Sequence, residues 1–192
     1  MKQDKETNIR SDKNIYLIGY MGCGKTTVAK VLGAALEVVS MDLDELICNH
    51  FNKSIPEIFD DLGEDGFRAI ESLFLFQAVG GTIVPYDATR GAVLSCGGGT
   101  VLDILNVNVM RATGIIIWLK ASPETVFSRI KDDCSRPLLS GKMTIQDIQE
   151  MMEFRESFYS HAADYTIETD KKTPEEIAGE IITKLNLIPN PS

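Results

Sequence analysis

The segment Gly19-Tyr-Met-Gly-Cys-Gly24-Lys25-Thr26 constrains this chain more than any other stretch. It fits the pattern G-x-x-x-x-G-K-[ST], with an apolar strand-like run, Ile15–Gly19, before it and helical spacing over Lys25–Leu36 after it. Glycines let the backbone curl so that successive N–H groups point at one anion, and the helix N-terminus adds partial positive charge. The segment therefore predicts a phosphate-binding loop rather than a coincidental glycine-rich turn.

The residue types in this loop indicate how nucleotide phosphates would be held. Lys25 would reach the β- and γ-phosphates, and the Thr26 hydroxyl would coordinate Mg²⁺. The loop alone does not identify a reaction, because kinases, GTPase switches and motor ATPases share it. The nucleotide contacts assigned to the loop are Gly22, Cys23, Gly24, Lys25, Thr26 and Thr27.

Strand-like apolar runs alternate with helical patterns along the rest of the chain. This alternation predicts an α/β fold, with a parallel sheet and helices on both faces. The further strands are predicted at Val38–Met41, Ala92–Ser95, Ile115–Leu119 and Tyr165–Glu168. The helices are predicted to start at the caps Ser54-Ile-Pro-Glu57, Ser122-Pro-Glu124 and Thr173-Pro-Glu-Glu176, and to cover Glu64–Val79 and Thr144–Tyr159.

Length and hydropathy restrict the organisation of the chain. Its 192 residues suit one domain, which we place at residues 14–187. No apolar run reaches the length of a membrane span, and the longest, Gly114–Leu119, suits a buried strand. Residues 1–13 are polar and lack an apolar signal core, so we interpret them as a flexible leader on a cytoplasmic protein.

Charge and cysteine content restrict the partners. The formal net charge of −9 disfavours nucleic acid, because an acidic chain repels a phosphate backbone. The four cysteines form no Cys-x-x-Cys pair and there are only two histidines, so neither a zinc site nor a disulfide framework is expected. No heptad or large apolar stripe predicts a partner surface, and we expect a monomer.

Two aspartates follow the second predicted strand, in Val38-Val-Ser-Met-Asp42-Leu-Asp44. The carboxyl ends of strands in an open parallel sheet border the ligand crevice, and residues two apart on a strand point to the same side. Asp42 could then support Mg²⁺, and Asp44 could bind a substrate hydroxyl and accept its proton. The same two residues equally suit the N-cap and first turn of a helix, and both interpretations stay open.

Two arginines and a glycine run are candidates for holding an anionic substrate. Arg68 and Glu71 are three apart on a predicted helix, so Glu71 could hold the guanidinium in place. Arg155 lies on a later helix, and arginine suits carboxylates because its planar fork gives two parallel hydrogen bonds. The run Gly97–Gly99 suits close approach of a small substrate to the backbone. Surface charges, an intrahelical ion pair and a tight turn are the alternatives.

A polar stretch at residues 132–142 separates two predicted helices. Arg129, Lys131 and Arg136 flank or occupy it. Such a loop could close over a nucleotide, exclude water and bring an arginine to the transferring phosphate. An ordinary basic surface loop is the alternative interpretation.

These motifs, taken in order, resemble the shikimate kinase family over roughly Asn14 to Leu185. The phosphate loop occurs in many unrelated proteins, whereas the ordered set is far more specific. After that loop the set comprises Asp42 and Asp44, Phe67-Arg68 with Glu71, Gly97–Gly99, Arg136-Pro-Leu-Leu139, and Arg155 with Tyr159.

The resemblance implies a reaction and an architecture. The reaction is transfer of phosphate from ATP to the 3-hydroxyl of shikimate, in the route to chorismate and the aromatic amino acids. The architecture is the three-layer α/β fold of P-loop NTPases, with a five-stranded parallel sheet in the order 2-3-1-4-5. Substrate-binding helices are implied at about residues 42–80, and a lid at about residues 132–142.

The resemblance also assigns roles to individual residues. Lysine at Lys171 and Lys172 replaces a commoner arginine, which departs from the family's pattern for stacking on adenine. The implied catalytic residues are Lys25, Asp44 and Arg136, and the implied Mg²⁺ ligands are Thr26 and Asp42. The implied shikimate contacts are Asp44, Arg68, Gly97, Gly98, Gly99 and Arg155, and Arg129, Arg136 and Lys172 join the loop residues on ATP.

Two rival functions differ from this interpretation. A kinase for gluconate or a nucleoside monophosphate is the nearer rival, and the pair Arg68 and Arg155 with the run Gly97–Gly99 argues against it, because together they specify a compact acid. A nucleotide switch or binding module without catalysis is the second. The presence of Lys25, Thr26 and Asp44 argues against that one.

Overall fold

Five parallel strands form a central sheet. The computed structural model describes residues 13–84, 87, 90–130 and 144–187. The strands are β1 (Asn14–Ile18), β2 (Val39–Asp42), β3 (Ala92–Ser95), β4 (Gly114–Lys120) and β5 (Tyr165–Glu168). Their order is β2-β3-β1-β4-β5, and every neighbouring pair is parallel. The α/β class, the parallel sheet and the strand order are therefore confirmed.

Helices cover both faces of this sheet. They are α1 (Lys25–Leu36), α2 (Leu43–Phe51), α3 (Ile55–Val79), α4 (Ile104–Thr113), α5 (Pro123–Ile130), α6 (Ile145–Ala162) and α7 (Pro174–Lys184), with a 3₁₀ turn at Thr100–Leu102. Capping boxes start α3 at Ser54 and α7 at Thr173, as the sequence predicts. Gly63, with φ 69° and ψ 179°, interrupts α3.

Alternation along β1 divides the interior into two cores. Ile15 and Leu17 point to one face, where they pack with apolar residues of α1, α5 and α7. Tyr16 and Ile18 point to the other face, where they meet residues of α3, α4 and the end of α6. Both faces are covered, which is why the strands read as continuous apolar runs. A smaller core joins α2 to α3 through Ile47, Ile58, Phe67 and Phe74.

The helices α2 and α4 follow β2 and β3 along the chain. α2 follows β2 without a loop, which is one of the two interpretations left open there, whereas α4, between β3 and β4, has no counterpart in the sequence prediction. An aspartate N-cap starts each: Asp42 accepts from Glu45 N at 3.1 Å, and Asp103 accepts from Leu105 N at 2.8 Å. Of the two interpretations left open, the one that keeps Asp42 and Asp44 on one strand is therefore wrong, because the chain becomes helical at Leu43.

Some predicted features fall outside the described residues. They are residues 1–12 of the leader and the lid at 132–142 with Arg136. The division of the chain into a single domain at residues 14–187 is a separate point, and it remains a prediction. Among the helices that the structure describes, none is both long and apolar enough to cross a membrane.

Candidate active site

The phosphate loop joins the carboxyl end of β1 to the start of α1. Gly24 is the N-cap of α1 with φ 98°, a left-handed conformation that favours glycine. A side chain on Gly19 would come within 2.5 Å of the Leu119 carbonyl oxygen, so β4 also requires a glycine there. The side chain of Cys23 is buried, and the backbone N–H of Cys23 donates to the Tyr20 carbonyl at 3.3 Å.

Lys25 lies across this loop from the first turn of α1. Its ammonium donates to the carbonyl oxygens of Gly19 at 2.9 Å and Tyr20 at 3.0 Å. These contacts hold the positive charge over the curve of the loop. That is where the loop motif places the phosphates of a nucleotide.

A cluster of oxygen atoms lies beside Lys25, where β2 and β3 end. Asp42 Oδ2 accepts from the Thr26 hydroxyl at 2.6 Å and from the Ser95 hydroxyl at 2.7 Å. Hydroxyl and carboxylate oxygens suit a hard cation such as Mg²⁺. The described residues contain no cluster of three or more His, Cys, Asp or Glu able to hold a metal, so water or phosphate oxygens would have to complete the coordination.

Asp42 combines the two interpretations that the sequence leaves open. Its Oδ1 caps α2 through Glu45 N, while its Oδ2 receives the hydroxyls of Thr26 and Ser95. Asp44 lies in the first turn of α2, as the helical interpretation expects. Its Oδ1 also lies 3.0 Å from the position that a β-carbon on Gly97 would take. Asp44 therefore borders the glycine run even though it does not continue β2.

Arg68 and Glu71 form an ion pair on α3, at 2.7 Å between Nη1 and Oε2. Glu71 is only 1% exposed, whereas the Arg68 side chain is 24% exposed and so can reach a ligand. The guanidinium also lies near the rings of Phe59 and Phe67, at 5.9 and 5.4 Å from their centroids. The predicted neighbour relation of Arg68 and Glu71 is confirmed, and Glu71 fixes one end of the guanidinium.

The glycine run Gly97–Gly99 meets these charged groups at close range. A β-carbon on Gly99 would lie 2.3 Å from Arg68 Nη1, and one on Gly97 would lie 2.3 Å from Glu71 Oε1. Gly98 differs, since the nearest atom to a β-carbon there is Arg155 Nη1 at 3.7 Å. Space rather than backbone conformation therefore favours glycine at positions 97 and 99, because a β-carbon there would force Glu71 or Arg68 to shift.

Arg155 approaches the same place from α6. Its guanidinium lies 5.7 Å from the centroid of the Tyr20 ring, and Tyr159, one turn further along, donates its hydroxyl to the Gly98 carbonyl at 2.6 Å. Burial raises the pKa of the Tyr159 hydroxyl, against an opposing effect of Arg155. Tyr159 is therefore a neutral donor that ties α6 to the glycine run.

The three residues assigned to ATP outside the phosphate loop differ in where they lie. Arg129 Nη1 donates to the Gly22 carbonyl at 3.1 Å, so it lies over the phosphate loop. Lys172 forms an ion pair with Glu180 of α7 at 2.5 Å, which occupies its ammonium. Arg136 lies outside the described residues.

The structure adds two residues that sequence reasoning missed. Ser95 is paired with Asp42 in the register of β2 and β3, and its place as a hydroxyl residue at the end of a predicted strand is the signal that could have identified it. Tyr20 supports Arg155 through its ring. Nothing in the sequence distinguishes Tyr20 from an ordinary variable residue of the loop.

Comparison with known proteins identifies the family. A family model described as shikimate kinase matches residues 21–186. The shikimate kinase of Sulfurihydrogenibium sp. (strain YO3AOP1) is 39% identical, over 90% of this chain and 98% of that protein. That of Pseudomonas paraeruginosa (strain DSM 24068 / PA7) is 35% identical, over 92% and 98%.

Solved structures similar to this chain include members of the same family. Shikimate kinase from Acinetobacter baumannii in complex with shikimate is 33% identical, with a TM-score of 0.80 over 90% of this chain and 92% of that one. The enzyme from Aquifex aeolicus is 33% identical, with a TM-score of 0.73 over 90% and 95%. The chain therefore belongs to the shikimate kinase family, a family of ATP-dependent kinases.

Proposed function

We propose that this protein is a shikimate kinase, transferring the γ-phosphate of ATP to the 3-hydroxyl of shikimate to give shikimate 3-phosphate for aromatic amino-acid biosynthesis. One observation carries the proposal. The phosphate loop and the pair Arg68–Glu71 both reach the run Gly97–Gly99, where Asp44 and Arg155 also lie. A phosphate donor and a compact acid would therefore meet at one edge of the sheet.

On the nucleotide side, the proposal assigns the phosphates to residues of the loop and to two arginines. Lys25 and the N-terminus of α1 offset the negative charge of the phosphates. Thr26 and Asp42 would hold Mg²⁺, which when bound neutralises charge on the phosphate oxygens. The assigned ATP contacts remain Gly22, Cys23, Gly24, Lys25, Thr26, Thr27, Arg129, Arg136 and Lys172.

On the substrate side, Arg68 and Arg155 bind the shikimate carboxylate. Glu71 accepts a hydrogen bond only from Nη1 of Arg68, at 2.7 Å. The exposed Glu64 accepts a weaker one from Nη2, at 3.5 Å. The Nη2 edge can therefore turn to a ligand carboxylate at little cost. Gly97, Gly98 and Gly99 form a wall of backbone against which the ring of the substrate packs.

The proposed chemistry is a direct phosphoryl transfer. Asp44 accepts the proton of the 3-hydroxyl as that oxygen forms a bond to the γ-phosphorus, and the bond from γ-phosphorus to the ADP oxygen breaks. Lys25 and Arg136 stabilise the charge on the transferring group. We further propose a cytoplasmic monomer without membrane or nucleic-acid partners. The formal net charge of −9 supports the last point.

A coupled assay of ADP release tests the function. We expect ADP release that depends on shikimate, and none above background with gluconate or nucleoside monophosphates. Turnover with gluconate or a nucleotide instead would support the rival metabolite kinase. ATP binding without turnover of any acceptor would support a binding module.

Replacing Arg68 by alanine is expected to raise the KM for shikimate roughly 10- to 100-fold, because a charge-assisted contact to the carboxylate is lost. The KM for ATP should change less than about twofold, since Arg68 is not assigned to the nucleotide. Steady-state kinetics with each substrate varied would measure both values. Arg90→Ala is the matched control, as Arg90 pairs only weakly with Glu37 at 3.8 Å. An unchanged KM for shikimate would refute carboxylate recognition by Arg68.

Replacing Gly98 by alanine probes the wall itself. The new methyl group meets no protein atom closer than 3.7 Å, so we expect the melting temperature to stay within a few degrees. We expect kcat/KM for shikimate to fall about tenfold or more, because the methyl occupies volume assigned to the substrate. Gly179→Ala, in open space on α7, is the control and should be neutral or slightly stabilising. Full activity of the Gly98 variant would place the substrate elsewhere.

A further inference from the structure

Thr100 lies directly behind the substrate-binding groups. It is the first residue of the 3₁₀ turn after the glycine run, and its relative exposure is 0%. Its hydroxyl donates to Glu71 Oε1 at 2.7 Å, between residues 29 positions apart in the chain. Thr100 is too deeply buried to touch a substrate, so any role in binding must act through Glu71.

The Thr100 hydroxyl is held in a fixed position. The Thr100 N–H donates to the Gly97 carbonyl at 3.2 Å, and Asn106 Nδ2 donates to the Thr100 carbonyl at 3.1 Å. Both the N–H and the carbonyl of this residue are therefore anchored by neighbours. A buried donor on an anchored backbone constrains the carboxylate that accepts from it.

The two oxygens of Glu71 are divided between two donors. Oε1 accepts from Thr100, and Oε2 accepts from Arg68 Nη1 at 2.7 Å. With Oε1 directed at Thr100, Glu71 engages the guanidinium through Nη1 only, and Arg68 Nε is buried without a hydrogen-bond partner. A carboxylate that lost the Thr100 donor would be left with an unsatisfied buried oxygen, which is costly. The nearest remedy is a two-nitrogen contact with Arg68.

We propose that Thr100 is a positioning residue for the acidic substrate: it keeps Glu71 from taking both nitrogens of Arg68, and so leaves the guanidinium turned toward the substrate. The inference deepens the proposed function and rests on it, since it takes Arg68 as the group that binds the substrate carboxylate. The contact of the guanidinium with Gly99 shows why orientation matters. A β-carbon there would lie only 2.3–2.5 Å from three guanidinium atoms, so the guanidinium packs directly beside the glycine run, and its orientation decides which nitrogens it presents there.

The test compares Thr100→Val, which removes the hydroxyl at nearly constant volume, with Thr100→Ser, which keeps it. We expect the valine variant to raise the KM for shikimate about tenfold, with kcat and the KM for ATP changed less than about twofold. The serine variant should stay within about twofold of wild type. Thr113→Val is the matched control, because the Thr113 hydroxyl bonds Tyr16 and the Val109 carbonyl at the other end of the sheet.

A double variant separates positioning from a general loss of structure. In an Arg68→Ala background, Thr100→Val should change the KM for shikimate less than twofold, because the group that it positions is gone. Thermal melting of each variant shows whether it is folded, and Thr100→Ala replaces the valine variant if that one does not fold. An equal effect with and without Arg68, an equal rise in the KM for ATP, or a failure of serine to restore binding would overturn the proposal.

Crystal structures of the wild type and the valine variant give a readout that does not depend on activity. We expect Glu71 to contact two nitrogens of Arg68 in the variant and one in the wild type. An unchanged guanidinium would overturn the positioning role even if shikimate turnover were normal. An absence of shikimate turnover by the wild type would instead refute the proposed function, and the crystal structures would still decide the role of Thr100.

Discussion

Replacing Lys25 by alanine is expected to lower kcat by about 10³-fold or more while the protein stays folded. The ammonium is the cation of the phosphate loop, and it is held over the loop by two carbonyl oxygens at 2.9 and 3.0 Å. Cations held in place before the reaction contribute the largest share of charge stabilisation in phosphoryl transfer. Measurement of kcat by ADP release, with circular dichroism to verify folding, would test this.

Lys30→Ala provides the control for Lys25. Lys30 lies further along the same helix, and it forms an exposed ion pair with Glu45 at 3.2 Å. Exposed pairs of this kind contribute little to stability, so its kcat should match that of the wild type. A Lys25→Ala enzyme that worked at the wild-type rate would exclude the assigned role of the loop cation.

Replacing Asp44 by asparagine is expected to lower kcat by roughly 10²- to 10⁴-fold. The amide keeps the size of the side chain but cannot accept the proton of the 3-hydroxyl. Both residues retain an oxygen that can accept a hydrogen bond, so we expect the KM for shikimate to change less than kcat. Rapid-quench measurement of a single turnover would show whether the loss lies in the chemical step.

Glu45→Gln is the control for the Asp44 variant. Glu45 lies in the same first turn of α2, so the substitution removes the same helix-end charge but no group of the site. A loss of kcat common to both variants would trace the effect to α2 rather than to proton transfer. Wild-type turnover by Asp44→Asn would exclude Asp44 as the base.

Local patterns predicted the framework of this fold well. The loop motif and the apolar spacing after it gave α1 at Lys25–Leu36, and the apolar run Ala92–Ser95 gave β3 at the same bounds. These elements depend on contacts between residues close in sequence, together with burial on both faces of the sheet. The neighbour relation of Arg68 and Glu71 was predictable for the same reason.

Contacts between distant segments were not predictable in this way. The bond from Thr100 to Glu71 joins the 3₁₀ turn after β3 to α3, and no spacing rule connects these residues. The helix α2 is a different case, since Asp42-Leu-Asp-Glu45 fits a helix start and also continues the strand before it, so the sequence left both interpretations open. Asp42 ends a strand and caps a helix at once, and sequence patterns treat those roles as alternatives.

The wall made by Gly97–Gly99 has a consequence for inhibitors. An inhibitor bound at the proposed shikimate site would pack against the main-chain atoms of this glycine run, which no substitution can remove. A side chain at Gly97 or Gly99 would displace the protein's own Glu71 or Arg68, because the clearance to each is 2.3 Å. Resistance at either position would therefore weaken the enzyme's hold on its own substrate. At Gly98 the distance of 3.7 Å leaves room for a methyl group beside the protein's own atoms, so a variant there should stay folded, but its methyl would occupy volume assigned to the substrate as well as to the inhibitor.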